Sequence, residues 1–206
     1  DIRLRFFDQH LKGLATGLDQ EPPVRYFIMG NQEGRRPGNL AGTIWHGGRW
    51  ESAQTWPPHD RTTVFYLHSD SSLSETKPSN SLSVAPDTFE PHDPVPTAGG
   101  SISASEDVLP SGGFDQRGQP GRFHGHRDTL PMASRPDVVA FQTEPFSEPF
   151  EIAGPVEVVV HAASSAIDTD FTAKLLDVYP HSDETPGGFE LNLADSIVRA
   201  RYRNGF

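Results

Sequence analysis

The chain has 206 residues, which is enough for one domain with a full hydrophobic core, or for one domain and part of another. Its 19 glycines and 19 prolines, together with only 34% hydrophobic residues, argue against a helical protein and favour a β-sandwich with long connections. The net charge of -11 argues against nucleic acid as a partner, and the absence of cysteine excludes thiolate nucleophiles, cysteine zinc sites and disulfides.

Targeting signals give little information about the compartment. No apolar run is long enough to span a membrane, so no membrane partner is expected. The first residues, Asp1 to Arg5, are mostly charged and unlike a secretory signal. The sequence therefore indicates a soluble protein and favours the cytoplasm without establishing it, and an oligomer is compatible with it.

The first predicted element is a helix over Ile2–Lys12. Leu4, Phe7 and Leu11 fall on one helical face, and Gly13 stands where a helix C-cap is expected. An apolar face of this kind needs a surface to pack on. We expect the helix to be the last one of a preceding domain, and the alternative is a helix that covers one end of the sandwich.

Three strands are predicted in the middle of the chain, at Val24–Met29, Thr62–His68 and Val138–Thr143, each rich in β-branched or aromatic residues. The glycine-rich loop over residues 30–42 lacks the pattern of a phosphate-binding loop. Three tryptophans follow that loop, Trp45, Trp50 and Trp56. Buried anchors are favoured for them, and a stacking platform for a sugar is the alternative.

The strongest β signal lies near the C-terminus, in the stretch Ser164–Pro180. Both faces of this stretch carry apolar residues, so it is predicted to lie inside a sheet. Val156–Val160 precede it and Phe189–Leu193 follow it, with a further segment at Ile197–Tyr202. Turn residues separate these segments, which predicts an antiparallel sheet.

No motif specifies a catalytic centre, a metal site or a cofactor. Ser74-Glu75-Thr76-Lys77 matches S-x-x-K, but Pro78 follows at once and the motif needs a helix, so we interpret the match as coincidence. His124 and His126 are spaced for one face of a strand, but the flanking glycines favour a mobile loop over a metal site.

The D-x-D pair Asp168 and Asp170 has two interpretations. Calcium binding requires six or more oxygen ligands, and only these two carboxylates are evident locally. We therefore favour a structural role, in which the carboxylates accept backbone N–H groups and fix the start of a strand.

Three strings near the N-terminus resemble the domain junction in serine hydrolases of the cocaine-esterase and glutaryl-acylase family: Arg5–Asp8, Leu11–Gly13 and Pro22–Gly30. Further matches follow in the family's order at Trp50–Pro58, Tyr66–Leu67, Asp93–Gly100, Asp115–Arg117, Arg135–Glu144, Gly154–Val156, Ser164–Pro180 and Arg199–Phe206. The most specific strings are F-F-D-x-x-L-K-G and D-x-D-F-T-A-K-L-x-D-V. The segment Gly118–Ser134 is longer than the family pattern.

The resemblance implies a mainly β fold. Residues 1–20 would be the terminal helix of a truncated α/β-hydrolase domain. Residues 21–206 would form a galactose-binding-like jelly roll of the X-Pro dipeptidyl-peptidase C-terminal type, incomplete at its C-terminus. The catalytic Ser, Asp and His would belong to the missing hydrolase domain, which would be a partner in cis, and the chain itself would have no catalytic residue.

The implied function is to shape the pocket of a serine hydrolase for small ester or amide substrates. We expect the long connection Thr97–Arg117 to lie nearest that pocket. Its apolar residues Ile102, Leu109 and Phe114 are the candidates for substrate binding, and the alternative is that they seal a domain interface. A different class of function stays open, in which the chain is a stand-alone carbohydrate-binding or structural β-sandwich module.

Overall fold

A computed structural model describes residues 2–30, 44–79, 88–90, 92, 95, 115–117, 130–183 and 185–204 of the chain. These residues fall into two compact units. The first unit draws on residues 1–31, 47–62 and 149–156, and the second on residues 32–46, 63–148 and 157–206.

The first unit contains one helix and one β-hairpin. Helix α1 spans Ile2–Lys12 and ends at Gly13, whose φ of 69° is the left-handed conformation that glycine adopts without strain. Strand β1 (Val24–Met29) pairs antiparallel with β2 (Gly48–Ala53) in continuous register, so that Phe27 lies opposite Trp50. A short 3₁₀ helix at Leu18–Gln20 separates α1 from β1.

The second unit contains two antiparallel pairs of very different length. Strand β3 (Tyr66–Leu67) pairs with β4 (Leu73–Ser74), and β5 (Asp170–Tyr179) pairs with β6 (Phe189–Arg199). Short 3₁₀ helices lie at Met132–Ser134 and Ala200–Tyr202. The β5–β6 ladder shifts register between Leu175 and Leu176, where one extra residue of β6 forms a bulge.

Strand β6 has neighbours on both of its edges. Strand β5 pairs along one edge, and Asp115 forms an antiparallel bridge with Leu191 on the other. Arg117 in turn bridges Pro131. The small core of this unit lies at the same end of β6, where Ile44, Phe189 and Leu191 are buried and Tyr179 packs against them.

The predicted mainly β class with a preceding helix is confirmed. The helix Ile2–Lys12, its glycine cap and the strand Val24–Met29 have the predicted bounds. The interior position predicted for the Ser164–Pro180 stretch was wrong for the described residues, because β5 pairs with β6 alone and β6 has the two neighbours. Residues Phe189–Leu193 and Ile197–Arg199 belong to one continuous strand, because β6 passes through its bulge without interruption.

Three other strand predictions need correction. Within the predicted strand Thr62–His68, only Tyr66–Leu67 form a ladder. Val138–Thr143 form no strand, and of them Gln142 alone bridges Ser72. Val156–Val160 also form no ladder with another described residue. A two-residue apolar period favours an extended backbone, but a strand forms only where the fold supplies a partner for its N–H and C=O groups.

Candidate functional site

The three predicted pocket residues Ile102, Leu109 and Phe114 lie outside the described residues, as do His124 and His126. The described part begins again at Asp115, directly after Phe114 in the sequence. Of the predicted pocket connection Thr97–Arg117, segment 115–117 is therefore the only part that the structure describes.

Segment 115–117 is held against β6 by backbone and side-chain hydrogen bonds. The Gln116 N–H donates to the Glu190 carbonyl at 2.9 Å, and the Glu190 N–H donates to Asp115 Oδ1 at 3.1 Å. Gln116 is fully buried and Asp115 is 3% exposed. Polar residues are buried in this way when their hydrogen bonds are made inside the fold. The attachment is therefore specific.

Arg117 is the cation of this segment. Its Nε and Nη2 atoms donate to Asp115 Oδ2 at 3.2 and 3.1 Å, and its Nη1 donates to the Gly187 carbonyl at 2.6 Å. Both charged side chains are almost inaccessible, at 13% for Arg117 and 4% for Asp115. A buried pair of this kind carries a large penalty when one partner is removed. Arg117 also joins the segment to the turn between β5 and β6.

Glu190 is a second carboxyl group at the same place. Burial raises the pKa of Glu190, the Asp115 carboxylate raises it further, and Arg117 acts in the opposite direction. Among the described residues, no partner bonds the buried Glu190 Oε2 atom or the Asn192 Oδ1 atom on the same face of β6. The cluster of Asp115, Arg117 and Glu190 thus holds two carboxyl groups and one guanidinium.

Asp177 and Tyr179 form another polar pair in this unit. Burial and the charge of the neighbouring Asp177 together raise the pKa of Tyr179 to about 12, and the buried Tyr179 hydroxyl has no hydrogen-bond partner among the described residues. The pKa of Asp177 is also raised, because the effect of burial outweighs Tyr179 and His46, which act to lower it. Both residues favour their neutral forms more than they would in water.

Both carboxylates of the D-x-D pair bind arginine side chains. Asp168 accepts the Arg201 N–H at 3.1 Å and also binds the Arg201 guanidinium, while Asp170 makes two bonds to Arg199 at 2.8 and 2.7 Å. Burial acts to raise the pKa of Asp168, but Arg201 and Arg199 outweigh it and lower that pKa. Asp168 therefore has the predicted structural role, because its carboxylate accepts a backbone N–H.

No group of three or more His, Asp or Glu side chains suited to a metal ion occurs in the part of the chain that the structure describes. Ser74 of the S-x-x-K string lies on β4, and its Oγ is 2.9 Å from His68 Nε2. A strand does not supply the helical turn that would bring Lys77 to Ser74 in that motif. The pair His68 and Ser74 closes the β3–β4 hairpin.

The tryptophans are not buried anchors, so this prediction was wrong. Trp45, Trp50 and Trp56 are 46%, 60% and 51% exposed. The Arg25 guanidinium lies 4.9 Å from the centre of the Trp50 ring, which is cation–π geometry, and Phe27 meets Trp50 edge-on. The large rings predicted burial, but Trp50 lies on the exposed face of β2, and Trp45 and Trp56 lie outside the strands.

Gly48 makes the close approach of Phe27 possible. A Cβ atom at this position would lie 2.4 Å from the Ile28 carbonyl oxygen and 2.6 Å from the Phe27 ring, and the φ of Gly48 is 125°. Only glycine adopts this backbone conformation readily. The exposed face of the hairpin formed by Arg25, Phe27, Met29 and Trp50 is therefore an ordered surface.

Helix α1 leaves its apolar residues exposed. Leu4 and Phe7 are 59% and 53% exposed, Leu11 is 77% exposed, and no residue of the helix is buried. The chain that follows folds back on the helix through Arg5, which donates to the Thr16 carbonyl at 2.9 Å and to Glu21 at 2.6 Å. The polar side of α1 is thus bound, and its apolar residues face solvent within this unit.

Sequence reasoning did not single out the Asp115, Arg117 and Glu190 cluster. Asp115–Arg117 entered only as a short family match, and Glu190 looked like one of the alternating polar residues of a strand. The available signal was the position of Asp115 and Arg117 two residues apart, which allows a local ion pair. Glu190 is 75 residues from Asp115, so only the fold reveals their contact.

Comparison with known proteins gives a consistent result. The family model of the X-Pro dipeptidyl-peptidase C-terminal non-catalytic domain matches residues 16–206. Cocaine esterase of Rhodococcus sp. is 34% identical, over 96% of this chain and 30% of its own length. Two proteins with a provisional serine esterase assignment, from Mycobacterium bovis and Mycobacterium tuberculosis, are each 30% identical over 86% of this chain.

These matches cover only part of the relatives. The chain spans 30% of the length of the cocaine esterase and 23% of each mycobacterial protein. No solved structure gave a significant match. No helix in the described ranges is long and apolar enough to cross a membrane.

Proposed function

The chain belongs to the X-Pro dipeptidyl-peptidase C-terminal non-catalytic domain family, and from this we propose that it is the non-catalytic β domain of a serine hydrolase for small ester or amide substrates. The family match over residues 16–206 and the esterase relatives support the proposal. Cocaine esterase and the two mycobacterial proteins are esterases by name, which favours an acyl-transfer reaction for the whole protein.

The observation that carries this proposal is the exposed apolar side of α1. Leu4, Phe7 and Leu11 would lose favourable burial if they stayed in water, at roughly 25 cal/mol per Å² of apolar surface. Large exposed apolar patches mark interaction surfaces in stable proteins. We assign this surface to contact with an α/β-hydrolase domain of the same polypeptide, with residues 1–20 as the terminal helix of that domain.

The remaining residues, 21–206, would form a galactose-binding-like jelly roll. Ile102, Leu109 and Phe114 would contribute one wall of the acyl pocket, held in place where segment 115–117 is attached to β6. The chemistry itself would come from the hydrolase domain. There a serine would attack the carbonyl, a histidine would transfer the proton, and an oxyanion hole would stabilise the developing charge.

The first test combines the mass of the native protein with labelling by a fluorophosphonate probe. A mass well above the 22.6 kDa of this chain, with a labelled serine outside these 206 residues, is the expected result. Denatured protein is the control for non-specific labelling. A native mass equal to that of the chain, with no labelled serine, would refute the hydrolase proposal.

The pocket wall is tested separately, by alanine replacement of Ile102, Leu109 and Phe114 in the native protein. Hydrolysis of p-nitrophenyl esters of increasing acyl length would be measured. We expect kcat/KM to fall most for the longer acyl chains, by up to about 10- to 200-fold for each substrate methylene group that no longer packs against the wall. Val64→Ala, at a 54% exposed position, is a control of similar chemistry. An unchanged acyl preference would show that the three residues only seal an interface.

The second candidate is a carbohydrate-binding module, and the exposure of Trp50 and Trp56 favours it. Exposed aromatic rings on a β surface can stack against sugars. Tryptophan fluorescence with a panel of mono- and oligosaccharides would test it in the native protein, with Trp50→Ala as the matched variant. The absence of any shift would leave this candidate without support.

A further inference from the structure

Glu190 lies where β6 meets segment 115–117, and its backbone takes part in the attachment from both sides. Its carbonyl accepts the Gln116 N–H, and its N–H donates to Asp115 Oδ1. Its carboxyl group adds a buried Oε2 atom that has no hydrogen-bond partner among the described residues. An ionised carboxylate without partners is costly to bury.

The charged groups that face Glu190 are few. From segment 115–117 they are Asp115 and Arg117, both of which act on its carboxyl group. The Arg117 guanidinium already binds Asp115 and the Gly187 carbonyl of the β5–β6 turn. One guanidinium therefore serves two carboxyl groups.

The described neighbours of Glu190 in the β5–β6 ladder supply no charge. From β5 the residue directly opposite is the apolar Val178, and Asn192 is the neutral neighbour on β6. Asp177 and Tyr179 pair with Leu191 and Phe189, so they project from the other face of the sheet.

We propose that Glu190 makes the attachment of segment 115–117 to β6 depend on pH, with a tight attachment when the Glu190 carboxyl group is neutral and a weaker one when it is charged. In the charged state Arg117 faces two carboxylates while it is bonded to Asp115, and the charge on Glu190 includes a buried Oε2 atom that has no described partner. In the neutral state Asp115 keeps Arg117 to itself. The inference does not depend on the proposed hydrolase activity.

The direction of the pH dependence follows from linkage. The pKa of Glu190 is raised when the segment is attached, so the stability from a neutral Glu190 is complete below its ordinary pKa. That stability is lost as the pH rises through the ordinary and then the raised value. Above the raised value the loss is constant, because the carboxyl group is then charged in both states.

Hydrogen exchange at the Gln116 and Glu190 amides tests the proposal. The native protein would be measured by mass spectrometry from about pH 4 to about pH 8, a range that covers an ordinary and a raised glutamate pKa. After correction for intrinsic exchange, protection should fall about tenfold for each unit by which the attached and detached pKa values of Glu190 differ. Glu190→Gln should remove this dependence and retain high protection at every pH.

Glu157→Gln is the matched control, because Glu157 is exposed in the same unit, and it should keep the wild-type profile. A Glu190→Gln protein with the wild-type pH profile would overturn the proposal. A Glu190→Gln protein that fails to fold would also overturn it, because an uncharged side chain of the same shape represents the state in which the attachment is tight.

Discussion

The two halves of β6 share one strand and one ladder partner but have opposite environments. From Phe189 to Asn192 the strand is almost entirely buried, whereas every residue from Leu193 to Arg199 is exposed. The bulge in the β5–β6 ladder falls between them, at Leu193. Segment 115–117 and Ile44 cover the first half, and no described residue covers the second. Burial is thus decided by what packs against a strand and not by its pairing.

The buried and exposed halves of β6 also carry different kinds of ion pair. Asp115 and Arg117 on the buried half are almost inaccessible, whereas Lys174 and Asp195 on the exposed half are 18% and 32% exposed and 3.3 Å apart. Exposed pairs contribute about 0–1 kcal/mol, but removal of one partner from a buried pair costs several times more. Four comparisons between variants test how far this contrast holds.

The largest effect is expected from Asp115→Ala. At a pH where Glu190 is neutral, this change leaves Arg117 buried without a carboxylate partner and removes the acceptor of the Glu190 N–H, so the free energy of unfolding should fall by about 3–5 kcal/mol. Denaturant unfolding of the native protein, followed by tryptophan fluorescence, would measure it. Asp195→Ala on the exposed half is the control and should cost about 1 kcal/mol or less. Equal losses from the two variants would contradict the contrast.

Leu191→Ala against Ile197→Ala compares apolar contacts on the two halves. Leu191 is 1% exposed and Ile197 is 63% exposed. Truncation of the buried Leu191 side chain should lower the free energy of unfolding by about 2–5 kcal/mol, and truncation of the exposed Ile197 side chain by about 0.5 kcal/mol or less. The same unfolding measurement applies. A large loss from Ile197→Ala would show that another part of the native protein covers the second half.

Gly187→Ala tests the turn that Arg117 reaches. The φ of Gly187 is 94°, and a Cβ atom would lie 2.9 Å from Arg117 Nη1. The backbone strain and the close contact with Arg117 should together lower the free energy of unfolding by about 1–3 kcal/mol. Gly13→Ala is the matched control, because Gly13 has a φ of 69° with open space around it. If the two variants lose equal stability, the contact with Arg117 adds nothing to the backbone strain.

The smallest effect is expected from Asp170→Asn on the exposed half. The variant loses the charge of the pair and one of the two bonds to Arg199, but the pair is exposed to water and screened by salt. Its unfolding midpoint should match that of the wild type within error at physiological salt. A shift as large as that of Asp115→Ala would show that exposure does not decide the value of these pairs.

The sequence predicted local features of the fold well. The spacing of Leu4, Phe7 and Leu11 predicted α1, and the apolar run over Val24–Met29 predicted β1, because both signals depend on residues close together in the sequence. Val138–Thr143 show the limit of this reasoning. Their composition suits a strand, but pairing depends on residues far away in the chain, and among the described residues only Gln142 of this segment has a bridge partner.

The candidate site was less predictable than the fold. Sequence reasoning placed the pocket on Ile102, Leu109 and Phe114, which stay a prediction. It did not anticipate that Glu190 would meet Asp115 and Arg117, because the perturbation of its pKa arises from burial and from charges distant in sequence. The burial predicted for the tryptophans was wrong for a related reason, since ring size favours burial but does not determine which parts of a surface the rest of the fold covers.

The valine-rich segment over residues 157–163 has a consequence for handling the protein. Val158, Val159 and Val160 are 57%, 70% and 59% exposed, and no backbone hydrogen bond joins this segment to another described residue. Consecutive β-branched residues with free N–H and C=O groups are templates for intermolecular sheet formation. Expressed apart from the surfaces that would cover it, the chain should aggregate through this segment, and Val159→Lys should delay the onset of thioflavin fluorescence.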